Sequence, residues 1–132
     1  MNPPTPLLVY DAFGLARDYD ARIDAIWNIY ILGISAILTA VNVKSWRPRW
    51  WLLTSAFGMF SIGNLWALSR YYAAHTALMN YARGLSPPSD LVEALTLPPL
   101  WQLTAFHVII DLLVVVAIIL FCKRPPEASQ EI

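Results

Sequence analysis

The sequence predicts an all-α integral membrane protein: three transmembrane helices, an extended second helix and a short interfacial helix in the outer loop. Three observations lead there. The 132 residues are 58% hydrophobic and only 14% charged, whereas a soluble domain carries about 25% charge. Three apolar stretches of about 20 residues could each cross a hydrocarbon core of roughly 30 Å at 1.5 Å per residue. All ten prolines, at positions 3, 4, 6, 48, 87, 88, 98, 99, 125 and 126, fall outside those stretches, and proline disrupts helix interiors. The length suits one small bundle, so residues 1–132 read as a single membrane domain.

The first span is expected over about 23–43, "IDAIWNIYILGISAILTAVNV". What precedes it reads as a tail carrying Asp11, Asp18, Asp20 and an oily patch, "LLVY". With no Lys or Arg before that patch and no long apolar run, a cleaved signal peptide is not expected. Within the span Ala36 and Ala40 are small residues four apart, a spacing that lets helix backbones approach. The link "KSWRPRW" follows, then the second span over about 50–71, where Gly63 and Ala67 repeat the small-residue spacing.

An outer loop is expected over 72–100. In "YAAHTALMNYARGL", Tyr71, His75, Leu78 and Ala82 share a face at helical spacing, so the second helix should continue outward and stop near Gly84. "SPPSDLVEALTLPP" reads as a short helix between two proline pairs, lying on the membrane surface or a partner. Asp90 and Glu93 have capping-box spacing there. The third span is expected over about 101–122, followed by a short tail over 123–132.

Basic residues set the expected orientation. Lys44, Arg47 and Arg49 cluster in the link, and Lys123 and Arg124 follow the third span. Arg17, Arg22, Arg70 and Arg83 are spread along the other side among acids. This places the N-terminus outside and the C-terminus in the cytoplasm, in a bacterial inner membrane. Trp46, Trp50 and Trp51 would mark the inner interface, and Trp27, Tyr30, Trp66, Tyr71, Tyr72 and Trp101 the outer one.

The residues that invite a functional reading lie at membrane depth. His107 and Asp111 stand four apart in "AFHVIIDLLVVVAIILF" and so share one helix face, with Thr104 beside them. A charged carboxylate near the bilayer midplane costs several kcal/mol unless it is paired or neutralised. Counting depth along each span brings Asn28, Asn64 and His107 to a similar level, with Ser35 and Ser61 nearer that of Asp111. The pair could tie helices together, dock a partner, or handle a proton or solute.

The chemistry classes narrow from there. Lys+Arg 9 balance Asp+Glu 9, so no basic surface points to nucleic acid. A single cysteine, Cys122, excludes an internal disulfide and a cysteine zinc site. No nucleophile elbow, zinc-protease helix or glycine-rich phosphate loop occurs, so no metal site and no enzyme activity are expected. The expectation is a small non-catalytic accessory or assembly subunit of a larger membrane complex, docking through its helices and outer loop. Its partners would be membrane lipids and other membrane subunits, or copies of itself. The alternatives are a homo-oligomeric channel, transporter or proton pathway built on Asp111 and His107, and a holin-like pore former of phage type. No cofactor is expected. A quinone or lipid could occupy a shared interface, and haem is disfavoured because His75 should stand outside the bilayer.

Overall fold

The computed structural model describes residues 6–43, 49–85 and 87–123. They form four helices: α1 (Pro6–Asn42), α2 (Trp50–Arg83), α3 (Ser89–Ala94) and α4 (Leu100–Lys123). No strand occurs among the described residues. α1, α2 and α4 run alternately up, down and up as one bundle, and each is long and apolar enough to cross a membrane.

The first correction is at the N-terminus, where the expected tail is helical from Pro6 onward. Proline is tolerated in a first helical turn because that turn lacks N–H partners anyway. The buried residues Ala12, Phe13, Ala16, Ile23, Ile26 and Tyr30 recur so as to form one apolar stripe. The charges of Asp11, Arg17 and Asp18 face outward. α1 therefore has 37 residues, about 55 Å at 1.5 Å each. α2 has 34, about 51 Å, and both overreach a hydrocarbon core of about 30 Å by about 20–25 Å.

α2 carries the clearest pattern. Its buried residues are Leu53, Phe57, Ser61, Asn64, Leu68, Tyr72, His75, Met79 and Ala82, spaced three or four apart along one face. The helix continues past the expected span to Arg83, and the Gly84 amide closes it on the carbonyls of Asn80 and Tyr81. Gly84 stays right-handed at φ −64°, so the stop owes nothing to a left-handed glycine. The two proline pairs bracket α3, but the capping box does not form. The helix starts at Ser89, Asp90 lies inside its first turn, and no side chain caps it.

Three apolar clusters stack along the bundle. At the link end Tyr30, Val41, Leu53, Phe57, Val114 and Ile118 pack together. In the middle Ile23, Ile26, Leu68 and Tyr72 meet Leu97, Leu100 and Leu103. At the far end Ala12, Phe13, Ala16, Met79 and Ala82 pack under Leu91, Val92 and Leu95 of the α3 segment. This last cluster lies beyond the expected second span and explains why α1 and α2 continue past it together.

The expected small-residue contacts are half realised. Ala40 packs against the link-end cluster and Ala67 against the middle one, while Ala36 and Gly63 are exposed. The close approach occurs at Gly33, where a Cβ would collide with the Phe60 ring. Between membrane helices such fits matter, because lipid is as apolar as the helix surface and association rests on packing and hydrogen bonds.

Candidate functional site

Four side chains from all three long helices converge inside the bundle. α4 supplies His107 and Asp111, α2 supplies Ser61, and α1 supplies Tyr30. Tyr30 and His107 are fully buried, and Ser61 nearly so. The Tyr30 hydroxyl donates to Asp111 Oδ1 at 2.6 Å. The Ser61 hydroxyl donates to Asp111 Oδ2 at 2.5 Å and lies 3.0 Å from His107 Nε2. His107 Nε2 and Asp111 Oδ2 are 3.7 Å apart, so the serine oxygen bridges the pair more closely than the two ends approach each other.

Aromatic rings enclose the cluster. Tyr30 stacks on the His107 imidazole with centroids 4.1 Å apart. Trp27 covers the imidazole at 5.6 Å and meets Tyr30 edge-on, and Phe60 stacks on Tyr30 at 6.3 Å. Asp111 is the open point, with 23% of its side chain exposed.

Counting protons shows what the cluster can do. With Asp111 ionised, each carboxylate oxygen has a donor, and Ser61 Oγ can accept from an Nε2–H tautomer of His107. With Asp111 protonated, the chain can reverse: acid to Ser61 oxygen, Ser61 hydroxyl to Nε2, with the imidazole proton on Nδ1. His107 Nδ1 is buried without a partner in either arrangement. Ser61 thus joins acid and imidazole by two hydrogen bonds that can run in either direction. A nucleophilic triad is wired differently: its acid holds the imidazole Nδ1 while Nε2 faces the hydroxyl. Here the acid takes the serine proton itself.

The other expected members are placed as follows. Asn64 is buried and donates to the Ile26 carbonyl at 3.2 Å, leaving its Oδ1 unpartnered. It joins α2 to α1 next to the cluster without touching His107 or Asp111 through a hydrogen bond. Thr104 bonds back to the Leu100 carbonyl of its own helix, and Ser35 likewise to Ile31. Asn28 is exposed, so the expected convergence of Asn28 with Asn64 and His107 does not occur. Arg49 and Lys123 stand at the link end of α2 and α4, while Lys44, Arg47 and Arg124 lie outside the described residues.

The residue that depth counting missed is Tyr30, read as an interfacial aromatic and found at the centre of the cluster. Its register with Ile23 and Ile26 on the α1 stripe was the available signal. The histidines cannot flank one iron, since His107 contacts Ser61 and His75 stands fourteen residues further along α2, about 21 Å away. Among the described residues no three His, Cys, Asp or Glu side chains are grouped to hold a metal ion. No family model matches the chain, and no curated protein or solved structure does.

Proposed function

We propose that this protein is a small accessory or assembly subunit of a larger integral membrane complex. In this reading it spans a bacterial inner membrane three times, with its N-terminus outside and its C-terminus in the cytoplasm. The single observation that carries the proposal is that the intramembrane acid is already engaged within the chain. Asp111 takes hydrogen bonds from α1 and α2, so its role is to fix the angle and register of three helices. Fixing those helices also fixes the outward faces they offer. α4 alone exposes Phe106, Ile109, Leu112, Leu113, Val116 and Leu120, an apolar surface that lipid or a partner helix can cover.

A second reading has its own support. The two-way Asp111–Ser61–His107 chain could pass a proton in a homo-oligomeric pathway, and the part-exposed carboxylate is where such a path would open. The holin-like reading gains nothing from the geometry.

The test is the mass and composition of the assembly extracted in mild detergent, for the native chain and for Asp111→Asn. The accessory reading expects stoichiometric foreign subunits that are lost or loosened in the variant. A pure homo-oligomer that keeps its size in Asp111→Asn but loses proton flux in reconstituted vesicles would sink it in favour of the second reading.

A further inference from the structure

A second site lies well away from the intramembrane cluster, at the far end of α2. The outer turns of α2 and the Leu95–Leu100 segment enclose a cleft of about 400 Å³ lined by Tyr72, His75, Thr76, Met79 and Arg83 on one wall. The facing wall includes Leu95, Thr96, Leu97 and Leu100. That volume falls in the range of small-molecule sites, roughly 300–1,000 Å³.

Its polar groups are ordered along its length. At the upper end the Arg83 guanidinium touches the Thr96 hydroxyl at 3.4 Å and the Asn80 amide oxygen at 3.3 Å. Both partners are neutral, so the cation is held in place with no carboxylate paired to it among the described residues. The middle is apolar, between Met79, Leu95 and Leu97. Below it His75 is only 2% exposed, yet its Nε2 has no hydrogen-bond partner. Burying a polar atom unpaired costs about 1–3 kcal/mol, so an unpartnered imidazole nitrogen on a cleft wall marks a place for a ligand group. The cleft therefore offers a cation to an anion at its Arg83 end and an unpartnered nitrogen to a neutral hydrogen-bonding group at the imidazole.

We propose that this cleft binds an elongated amphipathic anion, a medium-chain ω-hydroxycarboxylate. Its carboxylate sits on Arg83 and Thr96, its alkyl body on Met79, Leu95 and Leu97, and its terminal hydroxyl on the His75 nitrogen. Under the proposed threading, on which the exclusion of lipid rests, Tyr72 lies at the outer interface; Arg83 follows it by eleven residues, about 16 Å of helix. The headgroup layer is only about 5–8 Å deep on each side. A bilayer lipid cannot keep its chains in the leaflet and its head on Arg83, so the ligand is a free amphiphile and not a resident phospholipid.

The two histidines make the test direct. The full chain, with histidine-labelled rings, is placed in phosphatidylcholine nanodiscs and titrated with 10-hydroxydecanoate while the imidazole resonances are followed. The expected result is a saturable shift of His75 with His107 unmoved. Arg83→Gln should weaken binding about tenfold or more, since it removes a charge-assisted contact. Arg83 is exposed, and an unchanged His107 signal verifies that the variant keeps its bundle. 1,10-Decanediol should bind as weakly to the native chain as 10-hydroxydecanoate does to the variant. No saturable His75 shift, or equal binding of the diol and the hydroxyacid, overturns the proposal. So does a His75 shift produced by phosphatidylglycerol in the disc with no hydroxyacid present, which would assign the cleft to lipid.

Discussion

Removing one oxygen from Tyr30 tests the buried polar cluster with little other damage. Tyr30→Phe keeps the ring that stacks on His107 and Phe60 and deletes only the donor 2.6 Å from Asp111 Oδ1. If Asp111 is ionised, the lost bond is charge-assisted and its net value is about 1.5–3 kcal/mol. Since 1.36 kcal/mol is tenfold, a loss of about 2 kcal/mol shifts the unfolding equilibrium roughly 30-fold. If Asp111 is neutral, the bond resembles other side-chain bonds between membrane helices, about 0.6 kcal/mol on average and about 1.7 at most. The size of the loss therefore reports the charge state of the acid as well as the contact.

The assay is reversible unfolding in mixed micelles of mild detergent and sodium dodecyl sulfate, followed by circular dichroism. The native chain, Tyr30→Phe, Asp111→Asn and the double variant close a thermodynamic cycle. The expected outcome is a loss of about 2 kcal/mol for Tyr30→Phe in the native background, and less in the Asp111→Asn background, where the acceptor is a neutral amide. A variant within about 0.3 kcal/mol of the native chain, with no coupling in the cycle, would refute the reasoning that this contact locks α1 to α4.

Two further outcomes follow from the packing and the threading. Gly33→Ala should destabilise the bundle by about 1–3 kcal/mol by forcing Phe60 off the Tyr30 ring. Gly63→Ala, which meets nothing within 4 Å, should be neutral or mildly stabilising because alanine favours the helix, and equal effects at the two positions would contradict the fit at Gly33. A cysteine replacing Asp90, an exposed residue of α3, should react with an impermeant maleimide on intact cells when Cys122 is first changed to Ser. Labelling only after lysis would invert the proposed orientation.

The parts of the bundle that were legible in the sequence are those that depend on distance along one helix. The presence of three long apolar helices follows from apolar length and proline placement, and His107 and Asp111 share a face because four residues make one turn whichever way the helix is rotated. What was not legible is the rotation of each helix about its axis. A membrane helix is apolar toward lipid and toward its neighbours alike, so composition leaves that angle open. Asn28 and Tyr30 show the consequence. Their depths differ by about 3 Å, but they point about 200° apart, so the one that faces Asp111 excludes the other. α2 was the exception that could have fixed the angle. Its stripe continues past the expected span, where Met79 and Ala82 face the cover formed by α1 and the α3 segment. Carried back along the same face, that stripe arrives at Asn64 and Ser61. The far part of the helix thus determines which polar side chains meet inside the bundle, and the joint extension of α1 and α2 past the expected spans sets the rotation on which the Asp111 cluster depends.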